Sequence, residues 1–335
     1  MPIPLPLLSI VCPAYREEDV LPLFHAELTR VLAALQGSYR IEIIYVDDGS
    51  DDGTLKAMRE LAATDERVRY FSLSRNFGHQ AALTAGLEHA RGDVVITMDS
   101  DLQHPPRLIP ELLAKWEQGE DIVLTIRADD KRLSLWKRYS SKLFYIVMAL
   151  ISDTDIRDAA SDFRLMSRRA VHALLQLKER HRLLRGMVRW LGYRTTEIPF
   201  EPDVRKAGTT KYTLARMISL ASEGMFSFSR LPLRLASYLG VLAILVGLGN
   251  VVWYLLALLT GVSSLGAGMT YVVVSMHLLC GAVLCTVGVL GEYLGRVFEQ
   301  VKDRPLYLIK ETSPGEDAAL APAFSSLPHR HRDAA

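Results

Sequence analysis

Acidic residues follow two short apolar segments of the sequence, at spacings that suit shared chemistry. Asp47 and Asp48 follow one segment, and Asp99 and Asp101 follow another, with Gln103 two residues further on. Carboxylates this close repel one another, and the usual relief is a hard divalent cation, which in turn neutralises a bound diphosphate. The pattern therefore predicts a cation-dependent site for a phosphate-containing ligand. An acidic turn alone is more often a solvated loop, so the prediction depends on the elements that carry these residues.

The elements before these residues are predicted to be buried parallel strands. Apolar runs at residues 7–12, 41–46, 68–73 and 94–98 alternate with helical patterns at residues 19–35, 52–64 and 79–90. This order predicts an α/β fold with a doubly wound, mostly parallel, Rossmann-like sheet. Ligands bind beyond the carboxyl ends of the strands in such sheets, so the acidic segments are expected to converge on one edge.

Composition and motifs exclude several functional classes. No Gly-x-Gly-x-x-Gly follows the first strand and no Gly-x-x-x-x-Gly-Lys occurs, which removes the main support for a dinucleotide oxidoreductase or a P-loop enzyme. With 39 Lys+Arg against 38 Asp+Glu and a net charge of +1, nucleic acid is not an expected partner. Three cysteines without clustered spacing indicate neither a disulfide framework nor structural zinc.

Residues 235–291 contain no Asp, Glu, Lys or Arg, which predicts contact with a lipid bilayer. The run is far longer than the about 20 residues that cross a bilayer, and a Gly- and Ser-rich stretch interrupts it. Two spans are predicted, near residues 235–259 and 269–290, and a buried hairpin of a large soluble core is the alternative. Basic residues flank the pair but not the turn. The positive-inside rule therefore predicts a multi-pass protein of the inner (plasma) membrane, with the catalytic domain and both termini in the cytoplasm.

Five motifs of the chain occur together in one enzyme family. They are VDDGSDDGT at residues 46–54, RNFG at 75–78, DSDLQHP at 99–105, DFRLMSR at 162–168 and GVLGEYLGR at 288–296. In combination they resemble the GT-A type enzymes of glycosyltransferase family 2 that load sugars onto polyprenyl phosphates, including dolichol-phosphate mannosyltransferases. The resemblance is closer still to the bactoprenol glucosyltransferases, and it extends from about residue 7 to about residue 310.

The resemblance implies a nucleotide-sugar site along the carboxyl edge of the sheet. The base and ribose would be held by Pro13, Tyr15, Glu17, Val46 and Asp48, and the donor site would also include Met98, Asp99, Ser100 and Arg127. Mg²⁺ or Mn²⁺ would be held against the diphosphate by Asp99, Asp101 and Gln103. Family members commonly have Asn where this chain has Arg16. An inward-pointing Arg16 would add a cation near the nucleotide, whereas an outward-pointing one would change little.

Basic residues are predicted to contact phosphate groups of the donor or acceptor. Arg127, Arg205 and Lys211 match family positions with that role, and the segment from Arg205 to Lys211 also places cations around Gly208 and two hydroxyls. Such a segment is suited to clamp a phosphate, and a solvated basic loop is the alternative. Residues 213–234 then carry apolar residues at helical spacing, which predicts either an interfacial amphipathic helix or a helix packed on the sheet.

Four segments make up the predicted chain. They are a catalytic domain at residues 1–212, a juxtamembrane segment at 213–234, a two-helix transmembrane hairpin at 235–295 and a cytoplasmic tail at 296–335, disordered from about residue 312. The resemblance also suggests a homotetramer.

The resemblance implies direct displacement with inversion, in which a polyprenyl phosphate oxygen attacks the anomeric carbon of a nucleotide-sugar. Asp162 matches the residue usually proposed as general base. A phosphate monoester has a second pKa of about 6, so near neutral pH it has little proton left to remove. Asp162 is therefore expected either to act as base, or to orient the acceptor or fix Arg164. Three histidines have neither metal spacing nor a triad partner and are predicted to be structural: His79, His104 and His181.

Glucose from UDP-glucose is the predicted donor sugar, undecaprenyl phosphate the predicted acceptor, and a lipid-linked β-sugar for cell-envelope or O-antigen glycosylation the predicted product. GDP-mannose and aminoarabinose donors remain close alternatives. A processive polysaccharide synthase is less consistent, because Gly186 stands where a Gln-x-x-Arg-Trp motif ending in Arg189 and Trp190 needs Gln. A non-catalytic membrane scaffold is the alternative from another class, but it would not need Asp99, Asp101 and Asp162 together.

Overall fold

The structure, a computed structural model, describes residues 4–127, 160–180, 182–200, 231–260 and 265–316. The strands are β1 (Leu7–Ala14), β2 (Arg40–Asp47), β3 (Val68–Leu73), β4 (Val94–Thr97), β5 (Ile122–Arg127), β6 (Ala160–Ser167), β7 (Thr195–Phe200) and β8 (Ile309–Thr312). The α-helices are α1 (Leu21–Ala33), α2 (Thr54–Thr64), α3 (His79–His89), α4 (Ile109–Glu117), α5 (Arg168–Gln176), α6 (Leu184–Trp190), α7 (Leu231–Leu259) and α8 (Leu265–Val301). The chain forms two compact units. The sheet unit comprises Met1–Arg138, Arg157–Lys211 and Pro305–Ala335, and the apolar-helix unit comprises Tyr139–Ile156 and Tyr212–Arg304.

The sheet unit contains a mostly parallel sheet with the strand order β7-β5-β6-β4-β1-β2-β3-β8. Strands β1 to β4 are parallel to their neighbours among themselves, and β5 is parallel to β7. Strand β6 is antiparallel to β4 and β5, and β8 is antiparallel to β3. The predicted doubly wound architecture of GT-A type is thereby confirmed. The four apolar runs identified in the sequence coincide with β1 to β4, with ends that differ by at most two residues.

Two apolar clusters cover the two faces of the sheet. Successive strand residues alternate between them, so that Ile10 belongs to the cluster with α1 and α4 and Val11 to the cluster with α3 and α5. Because both faces are covered, the central strands read as continuous apolar runs rather than as alternating ones. This burial fixes the strand ends, and with them the loops that carry the acidic residues.

The C-terminal part of the sheet unit adds an edge strand that the sequence analysis did not predict. Strand β8 pairs with β3, and beyond it the Ser313 amide donates to the Tyr70 carbonyl at 2.9 Å. The buried carboxylate of Glu316 then pairs with Arg69 at 2.7 Å and with Arg91 at 2.9 Å. Residues 313–316, which were placed in the disordered tail, therefore contact the sheet.

The apolar-helix unit contains two helices that are long and apolar enough, by length and composition, to cross a membrane. The qualifying segments are Tyr238–Ala257 and Val274–Val301. The predicted spans lie within α7 and α8, although α8 continues to Val301, past the charged Glu292 and Arg296. Large apolar side chains such as Trp253 and Leu284 are exposed on these helices. The interruption predicted between the spans, at residues 260–268, is shorter than expected, because α8 already begins at Leu265. Residues 261–264 and most of the amphipathic segment lie outside the described residues.

Candidate active site

The carboxyl ends of β1, β2 and β4 bring the predicted site residues to one edge of the sheet. The Asp48 amide donates to the Ala14 carbonyl at 3.0 Å, which joins the ends of β2 and β1. The buried Ser100 hydroxyl donates to the Pro13 carbonyl at 2.9 Å, which joins the segments after β4 and β1. The acidic segments therefore converge as expected from a parallel sheet.

The two carboxylates after β2 have different surroundings. Asp47 is buried and accepts hydrogen bonds from the Ser50 amide at 2.9 Å and the Ser72 hydroxyl at 2.7 Å, which makes it a support of the loop. Asp48 accepts from the backbone amides of Phe77 at 2.8 Å and Gly78 at 3.0 Å. Burial raises the pKa of Asp48, and these two hydrogen bonds offset only part of that effect. Asp48 thus ties the end of β2 to the loop after β3.

Glycine is required at the turn between these carboxylates and α2. Gly49 has a φ of +67°, and a Cβ there would lie 2.3 Å from the carbonyl carbon of Arg75. Both the positive φ and the close backbone approach exclude larger residues. The second glycine of the motif, Gly53, donates its amide to the Glu18 carboxylate at 2.7 Å, so α2 begins against the loop after β1.

The residues predicted to hold the base and ribose differ in accessibility. Tyr15 is 40% exposed, and the Glu17 amide donates to Thr54 at 2.9 Å, so both lie on the loop after β1. The side chains of Val46 and Met98 are fully buried in the core clusters, which leaves their backbone as the part that can border a ligand. Arg16 has a φ of +58°. Its guanidinium donates twice to Asp51, at 2.6 Å each, and is therefore directed toward that carboxylate.

Asp99, Asp101 and Gln103 form a short carboxylate turn directly after β4. Asp101 accepts from the Gln103 amide at 3.0 Å and from its side-chain nitrogen at 2.5 Å, and the intervening Leu102 has a φ of +63°. One oxygen of Asp99, Oδ1, is buried and accepts no hydrogen bond in the described part of the chain, although His79 Nε2 lies 3.4 Å from it. This turn gathers two carboxylates and an amide side chain.

The donor set after β4 has the chemistry to share a divalent cation with a nucleotide. Within the described residues, no three His, Cys, Asp or Glu side chains are grouped closely enough to hold a metal ion by themselves. A cation bound together with a nucleotide needs only one or two carboxylates, because phosphate oxygens and water complete its shell. The buried, unbonded Asp99 oxygen and the adjacent Asp101 carboxylate fit that requirement.

His104 supports the turn from beneath, as predicted for a structural histidine. Its Nδ1 accepts the Asp99 amide at 2.8 Å, and its Nε2 lies 2.7 Å from the Ser161 hydroxyl. The ring is buried and stacks on Phe163 at a centroid distance of 5.4 Å. Because Nδ1 accepts a hydrogen bond, the neutral ring carries its proton on Nε2 and donates to Ser161.

Asp162 enters the same edge because β6 runs antiparallel to β4. Its carboxylate, 3% exposed, pairs with the buried Arg164 and with Arg185 at 2.8 Å. His79 Nε2 lies 3.4 Å from Asp162 Oδ2 and 3.4 Å from Asp99 Oδ1, and thus stands between the two carboxylates.

These contacts set the charge state of the cluster. Burial raises the pKa of Asp162, but the hydrogen bond from His79 and the charges of Arg164 and Arg185 outweigh it and hold the pKa well below its usual value. Burial lowers the pKa of His79, and the Asp162 hydrogen bond with the charges of Asp99 and Asp162 outweighs that effect, so the net shift is upward. Asp162 is therefore a stable carboxylate surrounded by donors.

Some predicted site residues lie outside the part of the chain that the structure describes, and some residues of the site were not predicted from the sequence. Arg205, Lys211 and His181 lie outside the described residues, as does the side chain of Arg127, whose backbone ends β5. His79 was predicted to be structural, yet it contacts two site carboxylates. Its position at the start of the helix after β3 was the available signal. Arg185 follows no strand end, so the strand-end rule does not reach it.

Comparison with known proteins gives the family. A profile described as "Glycosyl transferase family 2" matches residues 9–175. The chain is 42% identical over 305 residues to an uncharacterized glycosyltransferase from Synechocystis sp., covering 91% of this chain and 95% of that protein. It is 37% identical over 308 residues to the SfII prophage-derived bactoprenol glucosyl transferase of Shigella flexneri, covering 92% and 99%. A solved mannosyltransferase from Pyrobaculum calidifontis, in complex with GDP-Man and Mn²⁺, is weakly similar, with a TM-score of 0.43 and 15% identity over 90% of this chain and 89% of that one. The chain therefore belongs to glycosyltransferase family 2 and is a glycosyltransferase.

Proposed function

We propose that the protein transfers glucose from UDP-glucose to undecaprenyl phosphate with inversion, giving a β-linked lipid phosphosugar. The observation that carries the proposal is the convergence of Asp99, Asp101 and Asp162 at one edge of the sheet, in a chain whose relatives include bactoprenol glucosyl transferases. A phosphate oxygen of the lipid would attack the anomeric carbon. The bond from that carbon to the donor's β-phosphate oxygen would break, and UDP would leave with the electron pair.

The donor is proposed to lie along the loops after β1, β2 and β4. The exposed ring of Tyr15 supports this placement, together with the neighbouring Glu17 and Asp48, which would hold the base and ribose. Pro13 and Ser100, joined by a hydrogen bond of 2.9 Å, would form the floor. Arg127, Arg205 and Lys211 are proposed to contact phosphate groups.

Asp99 and Asp101, with Gln103 supporting Asp101, would hold Mg²⁺ or Mn²⁺. When bound, the cation supplies Lewis-acid neutralisation of the charge that develops on the leaving diphosphate. His104 would keep the turn in place through its hydrogen bond to the Asp99 amide at 2.8 Å.

Asp162 is proposed to position its neighbours rather than to remove a proton. Its oxygens already receive hydrogen bonds from two guanidinium groups and face His79, and its pKa is held low. The acceptor phosphate, with a second pKa of about 6, is largely dianionic near neutral pH and needs no base.

The polyprenyl chain of the proposed acceptor is apolar and would lie in a membrane. The two apolar helices support membrane association of the protein. We propose that α7 and α8 span the inner membrane with both termini in the cytoplasm, and that the protein assembles as a homotetramer. The proposed domains are residues 1–212, 213–234, 235–295 and 296–335, and the last of them includes β8, which pairs with the sheet.

A donor panel tests the proposal. Purified protein in detergent would receive undecaprenyl phosphate and radiolabelled UDP-glucose, GDP-mannose or UDP-aminoarabinose, with Mg²⁺, Mn²⁺ or EDTA. The expected result is labelled lipid from UDP-glucose alone, lost in EDTA and restored by either metal. Product from another donor would support the proposed type of reaction but show that the transferred sugar is not glucose. No product from any donor would contradict the proposal and favour the scaffold alternative.

A further inference from the structure

Arg185 lies at the start of α6, a helix that packs beside the start of α3. The Leu184 amide donates to the Gln80 side-chain oxygen at 3.1 Å, which joins the two helix ends. The neighbour of Gln80 on α3 is His79, the residue between the two site carboxylates. The beginning of α6 is therefore held beside the candidate active site.

The guanidinium of Arg185 is oriented by Asp162. Its Nε lies 3.2 Å from Asp162 Oδ1 and its Nη2 lies 2.8 Å from Oδ2, a two-point contact that fixes the plane of the group. Arg164 contacts the same carboxylate from inside the core and is fully buried, whereas the Arg185 side chain is 50% exposed. Of the two arginines on Asp162, Arg185 is thus the one that solvent and ligands reach.

Arg185 and the carboxylates expected to hold the cation are linked through His79. Its Nε2 lies 3.4 Å from Asp99 Oδ1 and 3.4 Å from Asp162 Oδ2, and Asp162 in turn pairs with Arg185. Inverting displacement needs the nucleophile and the leaving group on opposite faces of the anomeric carbon. If the donor diphosphate lies by Asp99, the attacking group belongs on the Asp162 side.

We propose that Arg185 binds the phosphate of the lipid acceptor and that Asp162 positions it for that contact. The inference rests on the proposed function, because it takes a lipid phosphate as the nucleophile. A planar guanidinium offers two parallel donors to a phosphate dianion, which a lysine at the same place would not. Asp162 is then a positioning residue, whose carboxylate holds the guanidinium group of Arg185 in place through two contacts.

Lipid-phosphate binding measured apart from turnover tests the inference. Full-length wild type, Arg185→Gln and Arg185→Lys in detergent would be titrated with undecaprenyl phosphate and, separately, with UDP. A charge-assisted two-point contact is worth about a 10- to 100-fold change in affinity. Arg185→Gln should lose that factor for the lipid phosphate and stay within about twofold for UDP, and Arg185→Lys should lose less because it keeps the charge.

Arg169→Gln is the matched control. Arg169 also pairs with a buried aspartate, Asp121, at 2.6 Å, with side chains 64% and 4% exposed, close to the 50% and 3% of Arg185 and Asp162. It lies by the amino end of β4, because Ser167 pairs with Val94. This variant should keep wild-type affinity for both ligands.

Three results would overturn the inference: unchanged lipid-phosphate affinity in Arg185→Gln, a larger loss for UDP than for the lipid phosphate, or no lipid-phosphate binding by the wild type. Normal binding that depends on Arg185, with no sugar transfer from any donor, would support the inference and reject the proposed reaction. Thermal unfolding of each variant separates loss of binding from loss of fold, and Arg185→Lys serves if Arg185→Gln is unstable.

Discussion

At the scale of single residues, the surroundings of Asp162 decide what it can do. A general base needs a free lone pair to accept a proton from the nucleophile. The carboxylate oxygens of Asp162 already contact Arg164, Arg185 and His79. Its folded-state pKa lies well below the ordinary value of 3.8, so it stays ionised between about pH 5 and 9. Stability from a depressed carboxylate pKa is present above the unfolded value and is lost only as the pH falls through the folded one.

The pH dependence of transfer distinguishes the two roles of Asp162. We expect activity to fall below about pH 6 as the acceptor phosphate takes up its second proton, in wild type and in Asp162→Asn alike. Asp162→Asn should lower kcat/KM for the lipid about 100-fold through misdirected arginines while leaving that midpoint in place. Rate profiles of both proteins, taken where both remain folded, provide the check. Loss of the acid limb in the variant would identify Asp162 as the base.

Gly49 offers a stability test of the turn after β2. Gly49→Ala meets a contact of 2.3 Å at a φ of +67°, so we expect it to destabilise the protein by about 2 kcal/mol or more. Gly37→Ala is the control, because nothing lies within 4 Å of the added methyl group. Thermal unfolding in detergent should show a clearly lower Tm for the first variant alone. Equal Tm values would contradict the close contact.

The site residues were predictable to the extent that they follow strands. Asp99 and Asp101 follow β4 directly, so apolar runs and acidic turns were sufficient to place them. Asp162 is the third residue of the antiparallel strand β6, and only its motif suggested it. Arg185 reaches the site from a helix through tertiary packing, which no local pattern encodes.

At the scale of elements, the C-terminal strand covers an edge of the sheet. An exposed β3 would present unpaired backbone groups, and β8 satisfies them while Glu311 pairs with Arg59 at 2.6 Å. The more buried anchor is Glu316, which joins Arg69 to Arg91. Arg69 in turn contacts Glu42 on β2 at 2.8 Å, so the chain end is tied to the sheet interior.

Removal of the Glu316 charge should destabilise the sheet unit. Breaking a buried, bonded ion pair costs about 3 kcal/mol, whereas an exposed pair contributes about 0.5 kcal/mol. We therefore expect Glu316→Gln to lower the Tm and Glu60→Gln, at the exposed Lys56–Glu60 pair, to leave it unchanged.

The stabilisation that Glu316 contributes should depend on pH. Burial raises the pKa of Glu316, but the Arg69 bond and the charges of Arg69 and Arg91 lower it below the ordinary 4.5. The stability difference between wild type and Glu316→Gln should be complete above that value and shrink as the pH falls below it. Denaturant titrations at several pH values measure the difference. A gap that widens with acid would contradict the assigned contacts.

The elements that sequence patterns predicted best are those buried on both faces. Strands β1 to β4 consist of apolar runs, and their ends were located to within two residues. Strand β8 has four residues, two of them charged, and lies on an edge, so no periodic signal marks it. Strand β8 forms because it can pair with the edge strand β3. A local sequence pattern does not contain information about this pairing.

At the scale of the whole molecule, the chain combines a sheet unit that has its own apolar core with two helices whose apolar side chains are exposed. Helices that are apolar on all sides and exposed require a nonpolar environment. From the charge pattern we propose that the segment between them lies on the far side of the membrane from the catalytic domain.

Cysteine labelling tests the proposed topology. In a background with Cys280→Ser and Cys285→Ser, Ser264→Cys, between α7 and α8, should react with a membrane-impermeant maleimide on intact bacterial cells. Asp303→Cys, after α8, should react only after permeabilisation. Cys12 is buried and should contribute little background. Labelling of Asp303→Cys on intact cells would reverse the orientation, and labelling of neither site would argue against a span.

The assignment of the active site to the carboxyl edge of the sheet is tested most directly by glucose transfer in a matched pair of aspartate variants at the two ends of β4. Asp101→Asn alters the turn after the strand, and Asp93→Asn alters the residue before it, where a carboxylate oxygen accepts the Leu7 amide at 2.8 Å. We expect Asp93→Asn to transfer glucose to undecaprenyl phosphate at nearly the wild-type rate and Asp101→Asn to lose at least about 100-fold in kcat with either metal. Equal activity in the two variants would contradict the assignment of the reaction to this edge of the sheet.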